Sequence, residues 1–129
     1  MSRVLLVEDS PSSVGQASKL LQELGVKDVQ VAMRVDAATS YLQEAIDGKK
    51  PLPDLIILDL IFENDNGLEV LRLWRSSPKL RPIRIVVWTR MGEVFQEVCR
   101  HFGAAVVPKD ATIAELKAAI LANLTSAAA

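Results

Sequence analysis

Between two carboxylates, the stretch Asp54-Leu55-Ile56-Ile57-Leu58-Asp59 places four consecutive apolar residues. A run this short, with no polar residue inside it, cannot lie half in water. It predicts a strand covered on both faces, as at the centre of a parallel sheet. That requirement constrains the rest of the chain, because a doubly covered sheet needs helices on both sides and parallel strands need crossover connections. Three other apolar runs also end in polar residues. Val4-Leu5-Leu6-Val7 leads into Glu8-Asp9, Ile85-Val86-Val87-Trp88 into Thr89, and Ala105-Val106-Val107-Pro108 into Lys109. In an open α/β sheet, ligands bind beyond the carboxyl ends of the strands. Glu8, Asp9, Asp59, Thr89 and Lys109 are therefore expected to form one site around Asp59.

The intervening segments supply the helices. Ser10-Pro11 offers an N-cap and a proline at the first helical position, Val14, Ala17, Leu21 and Leu24 keep helical spacing, and Gly25 stops the turn. Val29 and Val31 alternate with polar neighbours, which suits an edge strand. A second helix is expected over about residues 36 to 47, and a third with Val70, Leu71, Leu73 and Trp74 on its core face. Asn66-Gly67 signals a turn through tolerance of positive φ. The fourth helix carries the apolar stripe Val94, Phe95, Val98, Cys99 and Phe102 up to Gly103. The last opens on Thr112-Ile113-Ala114-Glu115, a capping-box pattern, and its stripe is Ile113, Leu116, Ile120, Leu121 and Leu124. Strand and helix thus alternate five times. One domain over residues 1–124 is expected, with a small-residue tail at residues 125–129.

Composition narrows what such a domain does. With 15 Lys+Arg against 16 Asp+Glu, the formal charge of −1 gives no global attraction to nucleic acid or anionic membrane. The basic run Arg72, Arg75, Lys79, Arg81 and Arg84 lacks interleaved aromatics and reads as a solvated face, and His101 reads as a partner of a helix C-terminus. Cys99, the one cysteine, excludes an internal disulfide and sits in an apolar pattern. No apolar run is long enough to span a bilayer, and the expected location is cytoplasmic.

Three carboxylates converging at a sheet edge repel one another unless a cation neutralises them. Magnesium suits such a set, because it takes oxygen ligands and is usually held by one or two protein carboxylates. A carboxylate is also a nucleophile able to form an aspartyl phosphate. In that case Lys109 would contact the phosphoryl oxygens and Thr89 would donate from its hydroxyl.

Glu8-Asp9 after the first strand, Asp59 after the third, Gly67 in the following loop, Thr89 after the fourth and Lys109 after the fifth resemble the receiver domain of bacterial two-component response regulators. The resemblance implies a flavodoxin-like, doubly wound, five-stranded parallel sheet with helices on both faces. It also implies magnesium at Glu8, Asp9 and Asp59, phosphorylation of Asp59 by a sensor histidine kinase, and inward movement of Thr89 that remodels the face of the fourth helix, fifth strand and fifth helix. The sequence departs from the family at Val106, where an aromatic is common, at Pro108, which precedes rather than follows the lysine, and at Arg90, Glu63 and Ile61. Ile61 is apolar two residues past Asp59, so restricted access of hydrolytic water and a long-lived phosphoryl group are expected. A stand-alone receiver that signals through a kinase or phosphotransferase, a downstream target protein or a homodimer follows, with no direct nucleic-acid or membrane contact. The alternative is a degenerate receiver that binds proteins without phosphorylation. A flavin binder is disfavoured by Glu8 and Asp9 beside Ser10, Ser12 and Ser13, and an aspartyl phosphatase by Ile61 where a second carboxylate is needed.

Overall fold

The computed structural model describes residues 2–62 and 65–128. Strands β1 (Arg3–Val7), β2 (Asp28–Ala32) and β3 (Leu55–Leu58) are followed by a hairpin of β4 (Ile61–Phe62) and β5 (Asp65–Asn66), then by β6 (Arg84–Thr89) and β7 (Ala105–Pro108). The helices are α1 (Pro11–Glu23), α2 (Val35–Ile46), α3 (Leu68–Ser76), α4 (Glu93–Phe102) and α5 (Ile113–Ala128). Five strands form one parallel sheet in the order β2-β1-β3-β6-β7, with Leu6 opposite Ile57 and Ile57 opposite Val86. As its composition demands, β3 lies at the centre with all four residues buried. The polar-alternating β2 takes an edge.

Because side chains alternate along a strand, the sheet feeds two separate apolar layers. Val4, Leu6, Ile57 and Val86 meet Ala17, Leu20 and Leu21 of α1 and Leu116 and Ile120 of α5. Leu5, Val7, Ile56 and Val87 meet Ala38 and Leu42 of α2, Val70 and Leu71 of α3, and Cys99 of α4. From β1 the chain runs outward to β2 and then returns to β3. The loops after β1 and β3 therefore diverge, and a crevice opens between them at this switch point.

The caps at Ser10, Gly25 and Gly103 act as the sequence requires, and the Thr112–Glu115 capping box forms through one arm only among the described residues. The Ser10 side chain accepts from the Ser13 N–H at 3.4 Å with Pro11 at the first helical position, and Gly25 (φ 81°) and Gly103 (φ 99°) end α1 and α4 in the left-handed region. Thr112 Oγ1 accepts from the Glu115 N–H at 3.3 Å.

Four features differ from the sequence reading. The hairpin β4–β5 occupies the loop after Asp59. Gly67 has φ −62°, so no positive φ is involved; a Cβ there would lie 2.4 Å from the Asp59 carbonyl oxygen and 2.8 Å from Leu60 Cα. Glycine is required because two backbones touch. In α4 the inward face carries Gln96 and Cys99, whereas Val94 (77% exposed), Phe95 (44%) and Val98 (37%) face outward; on α5, Ile113 and Leu121 are also exposed. Finally, α5 continues to Ala128 rather than giving way to a tail at residue 125, as suits a segment ending in strong helix formers. Met1, Glu63, Asn64 and Ala129 lie outside the described residues.

Four of the five residues of the basic run have local partners. Arg72 pairs with Glu69, and Arg75, Lys79 and Arg81 donate to the carbonyls of Phe102, Ile46 and Arg75. Three of these contacts satisfy carbonyls in the last turns of α4, α2 and α3. His101 is exposed in the last turn of α4.

Candidate functional site

Each site residue leaves the sheet at the same edge because its strand is in parallel register with its neighbours. The Glu8 N–H donates to the Ala32 carbonyl (3.0 Å), the Asp59 N–H to that of Val7 (3.0 Å), and the Lys109 N–H to that of Thr89 (2.8 Å). The sheet's hydrogen bonding thus runs one residue past the strands and fixes the backbones from which the side chains project.

All five sequence-predicted residues arrive at this edge, and three converge in direct contact. Lys109 Nζ donates to Glu8 Oε1 at 2.9 Å and to Asp59 Oδ2 at 3.2 Å, with the lysine side chain only 6% exposed. Asp9 is half-buried, and one oxygen from each of Glu8, Asp9 and Asp59 lies within 4.8 Å of the others. Asp59 Oδ1 accepts from the Ile61 N–H at 3.2 Å. Thr89 is fully buried, and its Oγ1 accepts from the Met91 N–H at 3.2 Å. The carbonyl of Met91 in turn accepts from Gln96 Nε2 of α4 at 2.9 Å. Arg90 is exposed and lines a cavity of about 380 Å³ with Thr89, Gln96, Pro108 and Asp110.

Charge is imbalanced within this cluster. Glu8 is almost wholly buried; that burial pushes its carboxyl up to about 7, with the nearby Asp59 charge acting in the same direction and the Lys109 hydrogen bond opposing both. Its Oε1 accepts from Lys109 and from the Ser10 N–H, yet Oε2 is buried with no hydrogen-bond partner among the described residues. A buried acceptor left unpaired costs about 1–3 kcal/mol unless something supplies the missing contact. An oxygen-only donor set with one such orphan fits a hard divalent cation such as magnesium.

Two neighbours of Lys109 were not recognisable in the sequence. Ser13 Oγ on α1 accepts from Nζ at 3.1 Å, and the Trp88 ring lies with its centroid 4.9 Å from Nζ. In the sequence Ser13 bears on a flavin-phosphate reading and Trp88 on an apolar strand ending beside Thr89; their link to Lys109 is made by the fold. Cys99, by contrast, is inert: burial pushes its thiol up, away from the reactive thiolate.

Comparison with known proteins agrees with this geometry. A family model described as the response regulator receiver domain matches residues 4–121. The phosphate regulon transcriptional regulatory protein PhoB of Klebsiella pneumoniae is 32% identical over 91 residues, covering 70% of this chain and 37% of that protein. The chain thus spans well under half of that relative's length. Among solved structures, the phosphorylated cyanobacterial phytochrome response regulator RcpA is 26% identical with a TM-score of 0.78, covering 90% of this chain and 86% of that one. The Mn(2+)-bound form of response regulator Rcp1 is 27% identical with a TM-score of 0.70, covering 91% and 87%.

Proposed function

The chain belongs to the response regulator receiver domains of two-component signalling, and from that membership we propose that Asp59 accepts a phosphoryl group from a sensor histidine kinase or a phosphotransferase. The observation that carries this reading is the contact of Asp59 with Lys109 inside an acidic cluster that has an orphan oxygen. Glu8, Asp9 and Asp59 would hold magnesium, which when bound draws charge from the phosphoryl oxygens. Relatives solved in phosphorylated and manganese-bound forms support the same chemistry on this scaffold.

The residues of this chain then divide the work. An Asp59 carboxylate oxygen forms the new O–P bond as the P–N bond to the donor imidazole breaks, and the leaving nitrogen keeps the electron pair. Lys109, desolvated and pointed at Asp59, places a positive charge where the phosphoryl oxygens arrive. Thr89 exchanges the Met91 N–H for a hydrogen bond in which its own hydroxyl donates to the phosphoryl group. The loop after β6 and helix α4 follow, since Gln96 ties them to Met91. The protein acts as a signalling module rather than as an enzyme on a released product. The exposed apolar residues of α4 and α5 suit contact with a downstream target or a second copy. A cytoplasmic site of action fits this role.

Intact mass after incubation with magnesium and a small-molecule phosphodonor, beside Asp59→Asn, tests the reading. The expected result is one phosphoryl group added to the wild type, dependent on magnesium and absent from the variant. No addition from that donor or from a histidine kinase would favour the phosphorylation-independent binding module.

A further inference from the structure

We propose that Ser13 and Trp88 are positioning residues that keep Lys109 in the site while its two carboxylate partners are engaged elsewhere. This inference rests on the phosphoacceptor reading above. The lysine ammonium has three N–H groups, and each has an acceptor: Glu8 Oε1 at 2.9 Å, Asp59 Oδ2 at 3.2 Å and Ser13 Oγ at 3.1 Å. The Trp88 ring face supports the same nitrogen at 4.9 Å.

These four contacts are of two kinds. Glu8 and Asp59 hold the lysine by charge, and that charge is what a bound cation and a phosphoryl group consume. An ammonium on a flexible four-carbon stem is strongly hydrated, so once the carboxylates are diverted its competing state is outward, in water. Ser13 and Trp88 are neutral and gain no ligand in the cycle. Both belong to the α1 and α5 side of the sheet: Ser13 sits in the first turn of α1, its N–H fixed by the Ser10 cap, and Trp88 is 5% exposed in the layer containing Ala17, Leu20 and Leu116. They form the part of the cradle that does not change with occupancy.

Trace acetylation with acetic anhydride, read peptide by peptide with exposed Lys27 and Lys117 as internal references, tests this in the full chain with and without magnesium. In the wild type Lys109 should stay protected in both conditions. In Ser13→Ala and, separately, Trp88→Leu, it should stay protected without magnesium. With magnesium it should label faster by about two- to tenfold, the range expected from one ordinary hydrogen bond. Protection of Lys109 in both variants with magnesium bound would overturn the proposal. Equal labelling with and without magnesium would also overturn it, since that is the mark of a purely structural role. Calorimetric titration of the same samples separates the two levels: an absence of magnesium binding by the wild type removes the metal reading and this inference together.

Discussion

Replacing Gly67 by alanine sets two effects of opposite sign against each other. The residue has φ −62° and ψ −13°, a helical conformation that alanine adopts freely. On that ground the substitution should stabilise by about 0.4–1 kcal/mol through the unfolded chain. Against it stands the new Cβ, 2.4 Å from the Asp59 carbonyl oxygen and 2.8 Å from Leu60 Cα. Both obstacles are backbone and cannot rotate away. Relieving the clash requires the chain to open by about 1 Å, judged against ordinary van der Waals separation. The opening strains the 3.0 Å hydrogen bond from the Gly67 N–H to the Leu60 carbonyl. Overpacking of this kind costs about 1–3 kcal/mol and the hydrogen bond about 0.5–1.5 kcal/mol more. The net expectation is a loss of about 2–3 kcal/mol, or about 7–11 °C in Tm for a chain of this length. Urea denaturation followed by tryptophan fluorescence measures it. Because the displaced atoms belong to Asp59 and Leu60, phosphorylation of the folded fraction should slow as well. Stability equal to or above the wild type would refute the reasoning, because it would mean that the close approach carries no constraint.

Other perturbations read separate parts of the structure. Ser10→Ala removes a cap whose hydrogen bond is long, 3.4 Å, so a loss near the low end, about 0.5–1 kcal/mol, is expected in the urea midpoint. In metal-free protein the folded state holds the Glu8 proton up to about 7 while the unfolded chain releases it near 4.5, so rising pH favours unfolding. Stability should be highest below about 4.5 on this account and fall through about 7, by an amount on the order of 1–3 kcal/mol, and magnesium should flatten that dependence in thermal melts. Ile61, 44% exposed and two residues past the acceptor, donates its N–H to Asp59 Oδ1; Ile61→Gln should shorten the phosphoryl lifetime several-fold in timed intact-mass measurements, with stability unchanged.

How far the sequence could be read depended on the kind of signal each feature left. Buried strands, capping serines and terminal glycines act through neighbours in the chain, so Leu55–Leu58, Ser10 and Gly103 could be placed at once. The five polar strand ends followed, because parallel register carries them to one edge. The stripe on α4 misled, because periodicity reveals that a helix has an apolar face but not which face meets the sheet. There Gln96 points inward to satisfy the Met91 carbonyl, and Val94 and Phe95 are left outside. The hairpin was invisible, since strands of two residues have no period. Gly67 was identified for the wrong reason: tolerance of positive φ is a local property, whereas its contact with Asp59 is tertiary. Ser13 lies 96 residues from Lys109, and nothing short of the fold could join them.

The alternation along β1 has a consequence for how this protein can drift. Leu5 and Leu6 are adjacent in the chain, yet one belongs to the layer beneath α2, α3 and α4 and the other to the layer beneath α1 and α5. Each layer can be repacked without consulting the other, because the sheet stands between them as a rigid partition. Substitutions at Leu5 and Leu6 should therefore be inherited as independent events, whereas Leu6 and Ile57, paired across β1 and β3 in one layer, must change together. A lineage or a designer can remodel the layer beneath α2, α3 and α4 while leaving the side that holds Ser13 and Trp88 untouched.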